Sequence, residues 1–105
     1  ARFDGEAPRL GSLLGYMVAR TIAAMLEEAG STETEAMIRA LETIEVATPQ
    51  GALRFRALDN QSTMGAWVGR LELGDDGRGR MTEWVYEDGA DYLLDEARVR
   101  AVRTD

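Results

Sequence analysis

Carboxylates are the commonest reactive side chains in this sequence, with 19 Asp and Glu against 12 basic residues, and every basic residue is an Arg. Carboxylate catalysis needs a pair held in one cleft with separated pKa values. Glu83, Glu87, Asp88, Asp91, Asp95 and Glu96 supply the number, but nothing in their spacing enforces such a pair, so they read as a solvated acidic face. Asp75 and Asp76 sit between Gly74 and Gly79 and suggest calcium, yet the spacing of an EF-hand loop and its distal Glu are absent. That stretch reads as a turn, and no metal site is expected. Asp59 and Gln61 flank Asn60 in a polar connection, where side chains of these types satisfy backbone amides. Tyr16 offers a flat apolar wall with one hydroxyl, suited to holding a small ligand without chemistry, or to packing half-buried on a neighbouring strand.

The residues that are missing exclude more than those present suggest. With no His and no Cys, imidazole and thiolate metal sites, nucleophile pairs and a histidine general base are all removed. No Lys is available for a phosphate loop, and no glycine-rich turn links a strand to a helix, so no nucleotide cofactor is expected. A net charge of −7 with scattered arginines argues against nucleic acid, which demands a clustered basic surface. The arginines from Arg98 to Arg103 lie too close to carboxylates to anchor a membrane and read as a helix surface.

These side chains must be positioned by the single small core that 105 residues can support. A 45% hydrophobic content beside 30% charged residues predicts a folded chain. Leu13, Leu14, Met17, Val18, Ile22, Met25, Leu26 and Ala29 recur at helical steps from about Gly11, and Gly30 closes that helix. A capping box of Thr32 and Glu35 opens a second helix with Met37, Ile38, Leu41 and Ile44 on its apolar face, which makes a helical hairpin. Thr48-Pro49-Gln50-Gly51 is a turn, after which Leu53 and Phe55 alternate with arginines as a strand. Trp67, Leu71 and Leu73 form a half-buried strand, Gly74 to Gly79 its hairpin loop, and Met81 to Tyr86 the return, with Trp67 near Trp84. A short helix from about Asp91 to Val102 ends the chain.

In order and spacing, Gly15-Tyr16, Ala29-Gly30-Ser31-Thr32, Thr48-Pro49-Gln50-Gly51 and the Phe55 to Gly69 stretch around Asp59-Asn60-Gln61 resemble the carboxy-terminal portion of periplasmic substrate-binding proteins of the branched-chain amino acid transporter type. The resemblance departs at Asn60, where the family pattern often has His. It implies an α/β fold of two lobes, of which residues 1–105 are a single partial domain, α+β as an isolated piece. It implies a non-enzymatic protein without cofactors, found in the periplasm or lipid-anchored outside the cell. Its partners would be an amino acid or similar small solute, held between the lobes, and the membrane permease of an importer. Tyr16, near the segment that faces the cleft, is the one residue here expected to line the pocket; the groups that grip the ligand's charges lie upstream. Asp59 and Gln61 are expected to be structural.

The chain begins with Ala, and the resemblance favours an internal cut there over a mature terminus. A piece of a larger fold leaves apolar surface and strand edges unpartnered, so a homodimer or strand-exchanged form of this chain is expected. The rival reading is an autonomous α+β interaction module, which would unfold cooperatively as a monomer.

Overall fold

A computed structural model describes residues 8–103, in which two helices are followed by two antiparallel hairpins and a short final helix. Helix α1 spans Leu10–Ala29 and ends where the sequence places its stop: Gly30 takes φ 56° and its amide donates to the Leu26 carbonyl at 3.1 Å. Helix α2, Thr34–Thr43, packs against α1 as the expected hairpin. The capping box does not form. The Ser31 hydroxyl accepts the Glu33 amide at 3.0 Å, the chain stays extended one residue longer, and Glu33 becomes the N-cap with no side-chain bond. Ile44 falls just past α2, in extended backbone.

The Thr48 to Gly51 turn has a strand on each side. β1, Val46–Thr48, pairs antiparallel with β2, Gly51–Leu53, and Val46 and Leu53 are buried opposite one another. The Thr48 hydroxyl accepts from the Gln50 amide at 3.1 Å and donates to the Gly51 carbonyl at 2.7 Å, which closes the turn from inside. The expected strand through Phe55 and Arg56 stops at Leu53. Arg54 and Thr63 bond to each other instead, and the Arg56 carbonyl receives both the Asp59 and Asn60 amides, so the chain folds back on itself with Asn60 at φ 59°.

Strands β3, Ala66–Leu73, and β4, Gly79–Glu87, form the second hairpin about the Gly74 to Gly79 loop. Val68 pairs with Val85 and Arg70 with Thr82, so Gly69 faces two β4 residues, Glu83 and Trp84. This is a β-bulge, and Glu83 carries its left-handed turn at φ 49°. The simple alternation of Met81, Glu83 and Val85 against Thr82, Trp84 and Tyr86 is therefore broken, and Met81 joins Trp84 on the Trp67 side. A Cβ on Gly69 would lie 2.8 Å from Met81 Cγ and 2.9 Å from Trp84 Cβ, which confines that position to glycine. Trp67 and Trp84 meet edge to face with ring centroids 4.8 Å apart, and Tyr86 lies 5.1 Å from Trp67.

The hairpin is not half-buried as the alternation predicts. Every β3 residue is exposed, and among the described residues the strong element contacts of β3 are with β4 alone. The core is correspondingly small: Met17, Ala40, Val46, Leu53 and Val99. A radius of gyration of 17.7 Å, against about 13 Å for a compact chain of this size, reflects the extended shape. The final helix is also shorter than expected. Asp88 caps a single 3-10 turn over Gly89–Tyr92, and Asp95 then caps α3, Glu96–Val102, by accepting the Arg98 amide at 2.8 Å.

Candidate functional site

Tyr16 lies on α1 one residue from Met17, about 100° around the helix. That step separates two environments: Met17 is 3% exposed, whereas Tyr16 is 52% exposed. Tyr16 is thus about half exposed, open to a ligand and to packing alike.

The apolar stripe of α1 is only partly covered. α2 and β1 pack on part of it, Met17 and Thr21 are buried, and its middle stretch from Leu14 to Met25 borders an open groove of about 450 Å³ completed by Leu41, Phe55 and Met64, among others. Its walls carry no charged side chain, so it can exclude water but cannot orient a charged ligand. Tyr16 is outside this lining. Leu14, on the apolar stripe of α1, is a groove wall, while Leu13 is half-buried.

Asp59 is 7% exposed and structural. Arg56 clamps it at two points, with Nε donating to Oδ1 at 2.9 Å and Nη2 to Oδ2, and the Gln61 amide donates to Oδ1 at 3.3 Å. The bond from Arg56, with the Gln61 amide, holds the Asp59 carboxyl below its ordinary range, against the opposing effect of desolvation; the same pair raises Arg56. Gln61 has an exposed side chain, and of the two residues expected to be structural only Asp59 acts through its side chain; Gln61 enters the network through its backbone. The arginines of the carboxy-terminal tail were read as surface, yet Arg103 donates to the Leu58 and Asp59 carbonyls at 3.3 and 3.1 Å. Spacing alone carries no signal for that contact, which joins residues more than forty apart.

The acidic run is dispersed among structural tasks. Glu83 pairs with Arg70, Glu96 with Arg100, Glu87 accepts the Tyr92 hydroxyl at 2.7 Å, and Asp88 and Asp95 are helix caps. In the Gly74 to Gly79 loop, Asp76 accepts the Arg78 amide and pairs with Arg80. Among the described residues no three potential ligands converge on one metal position, and no helix is long and apolar enough to cross a membrane. The arrangement offers surfaces and a groove for binding.

Comparison with known proteins agrees with the resemblance drawn from the motifs. The sequence model of the family described as periplasmic binding protein matches residues 1–78. Among solved structures, the crystal structure of an ABC-type branched-chain amino acid transporter from Rhodopseudomonas palustris superposes with a TM-score of 0.69 at 24% identity, over 80% of this chain and 23% of that one. The chain thus spans about a quarter of the length of that neighbour, and its mixed helix and strand architecture is a small piece of the same fold. No curated protein matches the chain.

Proposed function

The chain belongs to the periplasmic binding protein family, and on that premise we propose that it is part of a solute-binding protein serving an ATP-driven importer. The family match over residues 1–78 carries this reading. The solute is proposed to be a branched-chain or related amino acid, a choice supported by what the solved neighbour is said to be. Two lobes close on the solute, binding stabilises the closed form, and a membrane permease recognises it; no covalent chemistry is involved. The protein works in the periplasm, or lipid-anchored outside the cell. Tyr16, with its exposed ring on α1, contributes a wall to the pocket of the longer protein.

Calorimetric titration of the full-length gene product with a panel of amino acids tests the reading. The expected result is saturable one-site binding of an aliphatic amino acid. Removal of the Tyr16 ring by Tyr16→Ala weakens it about tenfold, or 1.4 kcal/mol. A full-length protein that binds none of the panel refutes the solute class, and unchanged affinity in the variant removes Tyr16 from the pocket. The isolated chain is proposed to self-associate with a second copy, supported by the exposure of Leu71, Leu73 and Trp84 on an uncovered hairpin. A concentration-independent monomer in sedimentation rejects that.

A further inference from the structure

Among the described residues, the β3–β4 hairpin meets the first hairpin and its own flanking segments at a narrow joint, where three glycines and one tyrosine come together. Gly65, buried just before β3, donates its amide to the Tyr86 hydroxyl at 3.2 Å. A Cβ on Gly65 would collide with the Glu87 carbonyl oxygen and lie 2.6 Å from both Cζ and Oη of Tyr86. Just past the end of β4 the relation is mirrored: a Cβ on Gly89, at the start of the 3-10 turn, would collide with the Met64 carbonyl. Beyond Gly65, the Tyr86 ring reaches the first hairpin, where a Cβ on Gly51 would sit 3.1 Å from Oη and 3.2 Å from Cζ. Gly51 also holds φ 100°, so a side chain there is disfavoured twice over.

We propose that Tyr86, wedged between Gly51 of the first hairpin and Gly65 at the root of the second, is a positioning residue that fixes the orientation of the β3–β4 hairpin relative to the α1–α2 half of the chain. Packing among the named elements is concentrated in α1–α2, α1–β1 and within each hairpin, and Arg56 and Arg103 tie the 56–60 turn to the carboxy-terminal segment rather than to β3 or β4, so among the described residues the hairpin is held chiefly through its root. A rigid aromatic ring lying against two backbone surfaces, with its hydroxyl bonded to one, restricts the hairpin's orientation; any side chain at Gly65 forces the surfaces apart. The inference holds whatever solute the longer protein takes.

The chain has no cysteine, so spin labels at Arg20→Cys on α1 and Asp75→Cys in the hairpin loop can be placed without background. Both positions are exposed. Pulsed electron resonance distances are expected to form one narrow distribution in the parent chain. Tyr86→Ala broadens it about twofold, Tyr86→Phe does so less because the ring wedge survives, and Gly15→Ala, where a Cβ meets open space, leaves it unchanged. Helical circular dichroism is expected to persist in all three, because the joint lies outside the α1–α2 contact. An unchanged distribution in Tyr86→Ala overturns the proposal, as does a parent distribution that is already as broad. Loss of helicity in Tyr86→Ala also overturns it, since Tyr86 would then belong to a common core. Gly65→Ala reads the same contact from its other side and is expected to shift the mean distance.

Discussion

Arg56 and Asp59, three residues apart, form a two-point ion pair, and the guanidinium nitrogen left over reaches the Leu94 carbonyl at 2.6 Å. One arginine thus ties the turn at 56–60 to the carboxy-terminal segment. Arg103 makes the return connection to the Leu58 and Asp59 carbonyls, and Val99, 4% exposed, docks α3 between them. A polar turn and a short helix stabilise each other here, although neither has enough apolar surface to stand alone.

The Asp59 carboxyl sits below its unfolded value, so its contribution to stability is present in full above an unfolded pKa of about 3.9 and is lost as pH falls through the lower folded value. Asp59→Asn is expected to be less stable than the parent at neutral pH and to have a flatter acid limb. Denaturant unfolding from pH 7 down to pH 2 checks this. Parallel curves for the two proteins would mean that Asp59 titrates alike folded and unfolded.

Met17 and Tyr16 are neighbours in sequence with opposite burial. Met17→Ala removes a core side chain and is expected to cost about 2 to 3 kcal/mol. Tyr16→Ala is expected to change stability by no more than about 0.5 kcal/mol. Thermal unfolding of the two variants measures both, and equal effects would contradict the orientation of α1.

Gly30 ends α1 in the left-handed region, where a Cβ meets no atom within 4 Å but strains the backbone. Gly30→Ala should therefore cost about 1 to 2 kcal/mol through conformation alone. Gly30→Asn should recover part of that, since Asn tolerates this region better than Ala. Chemical denaturation midpoints of the three proteins rank the effect.

Trp67 and Trp84 are 41% and 57% exposed while in edge-to-face contact. In dilute solution both are expected to be open to acrylamide quenching, and Trp84→Ala to lose about 1 kcal/mol from the aromatic pair beyond its area term. If a second copy covers this hairpin, quenching falls as protein concentration rises; constant quenching across the range argues for a free face.

Local chemistry was legible in the residues themselves. The α1 stripe and its Gly30 stop, the Thr48 to Gly51 turn, the Gly74 to Gly79 loop and the Trp67–Trp84 contact all depend on interactions within a few residues or across one ladder, so type and spacing determine them. The motifs around Tyr16, Gly30 and Asp59 likewise carried the family, later met again in the match over residues 1–78. Tertiary structure alone decided the rest. The start of α2 at Thr34, with Glu33 as N-cap in place of Thr32, goes with the packing of that helix on α1, which spacing does not report. The bulge at Glu83 moved Met81 to the Trp67 side, because a single unpaired residue changes every later register. Burial of Asp59, the reach of Arg103 and the seat of Tyr86 between Gly51 and Gly65 join distant parts of the chain. Their partners are chosen by how the backbone folds back, and periodicity cannot report that.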